Sequence, residues 1–431
     1  MNGNGSLPPG VSLSETGDGL RVVTEEVSSV RSLAVGLWVR TGSRDEDPAQ
    51  AGVSHFLEHL LFKGTKDHSA TEIAEIFDGM GASVNAATSK ESTHLYARFL
   101  DEHTDRAFEV LSQMLLGPTY PEVDSEREVV LEEIAMYEDE PQDRVHDVLA
   151  DAVFGEHPLG RRVLGRSEVI SSIPVPEISE YHQARYRTPT LVVAAAGNLE
   201  HAAIASLAEK HLSPAGGDSD SPPADANPDP ARLRFYAKET EQYHVCFGAP
   251  GISRGDERRF TLGILDSVLG GSTSSRLFRE IREKRGLAYA VGTYADQFIE
   301  RGLVAIYVGT REENLEEVGE VIGRELNRIR SEAISTEELN RAKENLKGRM
   351  VLGLESTPAR MSRLARSILF DVELLTIDEL LARVDAVTLE DVAELAAELW
   401  ATERISAACI GTTEERFLSA VSPVSEGLLA S

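Results

Sequence analysis

The stretch Ser54–Thr65, SHFLEHLLFKGT, carries two histidines and a glutamate within an otherwise apolar helical pattern. On an α-helix, His55 and His59 are four residues apart, so their rings share one face with about 6 Å between the β-carbons. Two imidazoles at this spacing can reach one tetrahedral metal ion. Glu58 precedes His59 by one residue, where a carboxylate can take a proton from a metal-activated water. The pattern H-x-x-E-H therefore predicts a metal site, although histidines also pack in cores and Glu–His pairs are ordinary on helices.

A catalytic zinc site usually has a third protein ligand, and residues 125–141, SEREVVLEEIAMYEDEP, supply candidates. Glu126 and Glu133 are seven residues apart and so lie on one helix face, two turns from each other. Val129 and Val130 lie between them and predict a face that packs inward, where carboxylates are costly unless they are paired or bind metal. We assign Glu133 as the third ligand and Glu126 as the carboxylate that accepts the second N–H of a ligand histidine. The alternative is that both are surface helix charges.

The chain divides near its middle at a polar stretch. Residues 213–232, SPAGGDSDSPPADANPDPAR, are rich in Pro, Gly, Asp and Ser and nearly free of large apolar side chains. Such a composition buries too little apolar surface to order itself, which predicts a linker between a domain at 1–212 and a domain at 233–431. The two halves carry similar strand–turn–helix patterns near their starts and similar strand patterns near their ends, which indicates an internal duplication.

The motif helix has a counterpart in the second half that lacks the polar trio. Its three equivalent positions are occupied by Leu262, Leu265 and Asp266. Packing of this helix therefore does not require two histidines and a glutamate, and a chemical role remains as their explanation. The first domain is predicted to bind the metal, and the second is predicted to be an inactive homologue.

Strand and helix patterns alternate along each half. Residues 83–89, SVNAATS, and 93–99, THLYARF, are typical of strands. Helices are predicted at 69–80, where Ser and Glu form a capping box, at 101–116 and at 122–140, which ends before a proline. This rhythm predicts an α+β fold of two homologous domains, each a mostly antiparallel sheet with helices packed on one face.

The composition excludes several classes of function. The chain has 431 residues and a net charge of −29, from 72 acidic and 43 basic residues, which argues against nucleic-acid partners and anionic membrane surfaces. No apolar run approaches the roughly 18 residues that span a bilayer. Cys246 and Cys409 are far apart and predict neither a disulfide framework nor a cysteine metal site. The start, MNGNGSLPPG, does not resemble a signal peptide, so we expect a cytoplasmic protein.

Several motifs together resemble a known family. They are HFLEHLLFKGT at 55–65, NAATSKESTHLYARF at 85–99, EREVVLEEIAMYEDEP at 126–141, HPLGRRVLG at 157–165 and REIREKRGLAYAV at 279–291. The combination is similar to the pitrilysin or insulinase family of inverzincin zinc metallopeptidases, and within it to the β subunit of mitochondrial processing peptidase and its bacterial relatives. The resemblance implies one zinc ion per chain, with Glu58 as the general base and the ligands His55, His59 and Glu133.

The resemblance also implies roles that the residues alone do not. Arg282 and Tyr289 match a pair from the inactive half that contacts the scissile carbonyl, where donors are needed as negative charge develops. Without the family they would be read as a surface charge and a strand residue. Residues 83–89 match an edge strand that binds extended peptide by backbone pairing, with Asn85 and Ala86 as contacts. Residues 269–276, LGGSTSSR, match a glycine-rich loop but contain only two glycines, and the role of the loop in recognition is open.

The implied function is a zinc-dependent endopeptidase that hydrolyses extended peptides or presequence-like segments. The acidic surface is compatible with basic peptides. Family enzymes close two halves into a chamber, and this chain has half of the length of such an enzyme, which implies a homodimer or a heterodimer with an inactive homologue. The alternative is a non-catalytic scaffold or partner subunit of a processing-peptidase-like assembly, because a fold alone does not establish a function.

Overall fold

The computed structural model describes residues 7–212 and 232–429. Its first half contains β1 (Val11–Glu15), β2 (Arg21–Glu26), β3 (Ser32–Val39), α1 (Val53–Leu60), α2 (Ala70–Gly79), β4 (Ser83–Thr88), β5 (Thr93–Leu100), α3 (Thr104–Leu116), α4 (Val123–Asp139), α5 (Pro141–Phe154), α6 (Ser167–Ile170), α7 (Val175–Arg185), β6 (Leu191–Gly197) and α8 (His201–Leu212). Its second half contains β7 (Leu233–Ala237), β8 (Tyr243–Gly251), α9 (Arg259–Leu269), β9 (Ala288–Gln297), β10 (Gly302–Thr310), α10 (Leu315–Ser331), α11 (Thr336–Gly353), α12 (Thr357–Leu369), α13 (Ile377–Ala386), α14 (Leu389–Leu399), β11 (Ser406–Gly411) and α15 (Glu414–Val421).

The first sheet has six strands in the order β1-β2-β6-β3-β5-β4. Its pairs are antiparallel except for β2 with β6, which is parallel. Strand β3 lies inside the sheet, where Gly36 is opposite Tyr96 of β5 on one side and Ala194 of β6 on the other. Strand β4 forms one edge and pairs with β5, from Ser83 opposite Arg98 onward.

Strand β3 explains why both faces of this sheet are covered. Its sequence is SLAVGLWV, and every residue after Ser32 is buried, whereas a strand with one solvated face would alternate apolar and polar residues. Leu33 and Leu37 face a core that includes residues of α1, α3 and α8. Ala34 and Trp38 face the opposite way, onto α12. The predicted helical layer is therefore present, and one further helix covers the other face.

The second sheet has five strands in the order β7-β11-β8-β10-β9. Its pairs are antiparallel except for β11 with β7. Helix α5 packs on one face, where Leu149 and Val153 join a core with Cys246 and Ala408. Cys409, the next residue after Ala408, points to the other face, and both cysteines are buried free thiols.

The described residues form two compact units that are each built from several segments. The first contains the described parts of Met1–Ala135, Arg162–Pro223 and Val351–Thr376, and the second those of Met136–Arg161, Ala224–Met350 and Ile377–Ser431. The predicted α+β fold with two mostly antiparallel sheets is confirmed. The domain limits of 1–212 and 233–431 stay predictions, and the predicted linker at 213–232 lies outside the described residues except for its last position.

The three helices predicted in the first half are present as α2, α3 and α4, each within about three residues of the expected bounds. The capping box of α2 forms as predicted, because the Ser69 side chain accepts from the Glu72 amide and the Glu72 carboxylate accepts from the Ser69 amide. Across the two described stretches of the chain, no helix has both the length and the apolar character needed to cross a bilayer.

Candidate functional site

The motif helix α1 is held at its start by a buried carboxylate. Gly52 precedes the helix with a φ of +101°, a left-handed conformation that favours glycine. The Glu46 carboxylate, 4% exposed, accepts the amide protons of Gly52 at 2.7 Å and of Ser54 at 2.8 Å. These two donors have no partner within a helix, so Glu46 satisfies them. Phe56 and Leu57 bury the apolar face of the helix, which fixes its polar residues in orientation.

His55, His59 and Glu133 are close enough to share one ion. Each offers a ligand atom, and these atoms lie within 4.8 Å of one another. Glu133 Oε2 is 3.3 Å from His59 Nε2 and 3.7 Å from His55 Nε2. Ligands of a tetrahedral zinc ion, bound at about 2.0–2.1 Å, are about 3.4 Å apart. The donor set of two imidazoles and one carboxylate and its spacing therefore fit a catalytic zinc site.

A buried carboxylate orients one of the two histidines. Glu126 Oε1 is 2.8 Å from His59 Nδ1, and Lys63 Nζ is 2.5 Å from Glu126 Oε2. Glu126 is 5% exposed, so its charge is compensated by these contacts. The contact favours the tautomer in which His59 Nδ1 carries the proton, and Nε2 then keeps its lone pair toward Glu133. The contact is the one that the sequence predicts, and the role of Glu126 beside a bound metal ion stays a prediction.

The environment of His55 keeps its ring neutral. Burial, and to a smaller extent the adjacent His59, lowers the pKa of His55 to about 4. The ring is therefore uncharged near pH 7 and can donate a lone pair to a metal ion. Its Nδ1 atom is buried and, among the described residues, lacks a hydrogen-bond partner.

Glu58 lies beside these ligands and has the properties of a base. Burial raises the pKa of Glu58 above its usual value, although the Thr88 hydroxyl, which donates to Oε2 at 2.6 Å, and His59 both oppose that rise. A carboxylate with a raised pKa binds a proton more readily at neutral pH. The position and the pKa direction are consistent with the predicted general base.

Strand β4 carries the two predicted peptide contacts at an edge of the sheet. Asn85 Oδ1 accepts the amide proton of Ala86 at 2.9 Å, and Ala86 is buried. Among the described residues β4 pairs on one side, with β5, so an edge is available for backbone pairing with another chain. The substrate roles of Asn85 and Ala86 stay predictions.

Arg282 and Tyr289 contact each other in the second unit. Arg282 lies in a π-helical segment at Phe278–Glu283, and its Nη1 donates to the Tyr289 carbonyl at 3.1 Å. Its guanidinium lies 4.3 Å from the centre of the Tyr289 ring. The Tyr289 side chain is 78% exposed, in contrast to an ordinary half-buried strand residue. A part in a reaction stays a prediction for both.

The glycines of the loop at 269–276 have a structural explanation. A β-carbon on Gly271 would lie 2.3 Å from Asp266 Oδ2, and one on Gly270 would lie 2.5 Å from the Thr293 side chain. Both positions therefore need glycine for packing. A role of this loop in recognition stays open.

The sequence-based predictions were wrong about one residue on α4. They also did not include three residues that lie elsewhere in the first unit and contact the site. Val129 was expected to pack inward but is 50% exposed. Glu46, Lys63 and Thr88 were not predicted to act near the metal ligands. Only Lys63 had a signal in the sequence, because it follows His59 by four residues on the motif stretch.

Two family models match most of the chain. Residues 21–167 match the model described as insulinase (peptidase family M16), and residues 172–346 match the model described as peptidase M16 inactive domain. The boundary between the matched ranges falls inside the first half of the sequence.

Several bacterial proteins are similar over nearly their whole length. A Streptomyces coelicolor protein named an uncharacterized zinc protease is 41% identical over 408 residues, which cover 92% of this chain and 89% of that protein. One of the same description from Bacillus subtilis is 40% identical over 408 residues, covering 94% and 97%. A third, from Mycobacterium tuberculosis strain H37Rv, is 39% identical over 403 residues, covering 91% of each.

Two solved structures share the fold. A crystal structure of a peptidase M16 inactive domain from Pseudomonas fluorescens superposes with a TM-score of 0.85 at 21% identity, covering 94% of this chain and 98% of the other. A protease from Helicobacter pylori superposes with a TM-score of 0.86 at 21% identity, covering 94% and 100%. At this identity the likeness concerns the fold alone.

Proposed function

This chain belongs to the insulinase family, peptidase family M16, and from that membership we propose that it is a zinc-dependent endopeptidase acting on extended peptides. One observation carries the proposal. The Nε2 atoms of His55 and His59 lie 3.7 Å and 3.3 Å from one oxygen of Glu133, the spacing of ligands around a single zinc ion. Relatives at about 40% identity carry the name zinc protease, which supports the same metal.

Different residues of the chain have different roles in the proposed reaction. A bound zinc ion supplies a Lewis acid that polarises a carbonyl oxygen and makes water more acidic. Glu58 takes the proton of the attacking water and returns it to the leaving amine as the peptide bond breaks. Glu126 keeps His59 in the tautomer that presents Nε2. Arg282 and Tyr289 are proposed to donate to the oxygen on which negative charge develops.

The substrate class follows from the edge strand. An extended peptide can add to β4 by main-chain hydrogen bonds, with Asn85 and Ala86 as contacts. Backbone pairing depends on an extended conformation of the peptide more than on its side chains. The proposed substrates are therefore unstructured or presequence-like segments. The net charge of −29 supports a preference for basic peptides through long-range attraction.

The experiment is the substitution Glu58→Gln, measured on a quenched fluorescent peptide library. We expect the variant to keep about one zinc ion per chain and to lose about 10²- to 10⁴-fold in kcat, the contribution of a general base. Glu75→Gln, an exposed carboxylate on α2, is the matched control and should behave like the parent. Cleavage by Glu58→Gln at the parent's rate would refute the mechanism, and a folded parent without zinc would favour the scaffold alternative.

The pairing of chains is a separate proposal. We propose a homodimer, because the chain has half the length of family enzymes that enclose their substrate. Size-exclusion mass and peptide hydrolysis of the chain expressed alone test it together. An active dimer supports the proposal, whereas a zinc-bound but inactive chain would point to an obligatory, different partner.

A further inference from the structure

The general base of the proposed site is bonded to the edge strand beside it. The hydroxyl of Thr88, the last residue of β4, donates to Glu58 Oε2 at 2.6 Å. This length is typical of a charge-assisted bond from a hydroxyl to a carboxylate. The bond joins two elements that are 30 residues apart in sequence.

The half-buried Thr88 contacts a fully buried threonine on the neighbouring strand β5. Thr93 faces Thr88 in the register of β4 and β5, and their Oγ1 atoms are 3.5 Å apart. Thr93 is fully buried, and its hydroxyl donates to the Thr41 carbonyl at 3.1 Å. The orientation of Thr88 is therefore constrained on the side away from Glu58.

The turn between β4 and β5 is clamped to the segment before the motif helix. The amide of Ser43 donates to the Ser89 carbonyl at 3.1 Å. A β-carbon on Gly42 would lie 2.2 Å from that same carbonyl, so the two backbones are in close contact. The buried ion pair of Arg44 with Glu91, at 2.6 Å, adds a third link. Because Glu46 in the same segment caps α1, one stretch of chain positions both the strand end and the motif helix.

We propose that Thr88 is a positioning residue for catalysis: its hydroxyl holds the Glu58 carboxylate in a single orientation relative to the peptide bound along β4. The inference rests on the function proposed above. The hydroxyl bond is to Oε2, and a backbone hydrogen bond from Thr88 reaches the same carboxylate. Without the hydroxyl only the backbone contact of Thr88 remains. The carboxylate can then rotate more freely about its terminal torsion, which has a broad profile, and spends less time in the reactive geometry.

The second unit contains a matched contact that serves as a control. Thr293 of β9, also an edge strand, donates to Asp266 Oδ1 of α9 at 2.6 Å. This carboxylate has no predicted chemical role, so the same kind of bond there ties only a helix to a strand. Comparing the two threonines separates a structural effect from a catalytic one.

The test measures kcat, KM, zinc affinity and thermal unfolding for Thr88→Val, Thr88→Ser and Thr293→Val. We expect Thr88→Val to lower kcat by about 10- to 100-fold, as a misplaced group does, with KM and zinc affinity within about twofold of the parent. Thr88→Ser should restore most of kcat, because it returns the hydroxyl. Thr293→Val should lower the unfolding temperature and leave kcat and KM unchanged.

A second readout does not depend on activity. In the metal-free chain Thr88→Val should lower the unfolding midpoint less in a Glu58→Gln background than in the parent, because a hydroxyl bond to a neutral amide is weaker than one to a carboxylate. Equal shifts in both backgrounds would overturn the contact. An unchanged kcat for Thr88→Val, failure of Thr88→Ser to recover, or an equal kcat loss in Thr293→Val would overturn the positioning role. A parent that cuts no peptide would overturn the proposed function as well, whereas an active parent confines the failure to Thr88.

Discussion

Glu126→Gln should weaken zinc binding without changing the three ligands. Glu126 is 5% exposed and has two polar contacts, with His59 Nδ1 at 2.8 Å and with Lys63 Nζ at 2.5 Å. A glutamine has the same shape but no charge. It therefore polarises the His59 ring less and no longer compensates the ammonium group of Lys63.

The expected size follows from the bonds that change. Replacing a hydrogen bond to a charged group by a neutral one costs about 1.5–3 kcal/mol at most. Removal of a carboxylate that supports a ligand histidine usually weakens metal affinity about 10- to 100-fold, which corresponds to about 1.4–2.8 kcal/mol. The two figures agree, so we expect zinc affinity to fall by one to two orders of magnitude.

The assay is competition for zinc against a fluorescent chelator at pH 7.5, with circular dichroism to establish that the variant is folded. Glu132→Gln is the matched control, because Glu132 is an exposed carboxylate on the same helix, α4. It should bind zinc like the parent. The reasoning is refuted if Glu126→Gln keeps its affinity within threefold, or if Glu132→Gln loses as much.

Three further changes test other contacts. Glu46→Gln leaves one of two buried amides at the start of α1 without its charged acceptor and should lower the free energy of unfolding in urea by about 1–3 kcal/mol; an unchanged midpoint would contradict the capping role. The Arg276 guanidinium lowers the pKa of Glu338 to about 2, so the stabilisation from this pair is complete above about pH 4.5 and disappears as the pH falls toward 2. Acid unfolding of Glu338→Gln should lack that part of the pH dependence, and identical curves would disprove it. Arg282→Ala should lower kcat about 100-fold at constant zinc affinity if the guanidinium and Tyr289 assist the reaction, and an unchanged kcat would remove both from the mechanism.

The candidate site was predictable to the extent that it depends on helix geometry. His55 and His59 share a face because they are four residues apart, and Glu126 and Glu133 share one because they are seven apart. These relations are local and hold wherever a helix forms. The width of a buried face is not local, since it depends on what packs against it, and Val129 is half exposed for that reason.

The burial of the first sheet likewise has one part that the sequence predicts and one part that depends on packing. The apolar residues at successive positions of β3 indicate that both faces are buried. They do not indicate which element covers the second face, and α12, more than 300 residues later in the chain, does so. The register of a distant helix on a sheet depends on the packing of the whole unit.

The α+β class and the ligand candidates follow from the amino-acid sequence alone, because periodicity and spacing act over one or two turns. The duplication also follows from it, because the two halves carry similar patterns. The contacts of Glu46, Lys63 and Thr88 around the site belong to the folded chain. Glu46 and Thr88 act across loops and strands whose mutual distances depend on tertiary packing, and hydrogen bonds lose their strength over a few tenths of an ångström. A spacing in sequence can therefore predict candidate metal ligands and, in Glu126, a partner on the same helix as one of them, but not the contacts that reach the site from other segments.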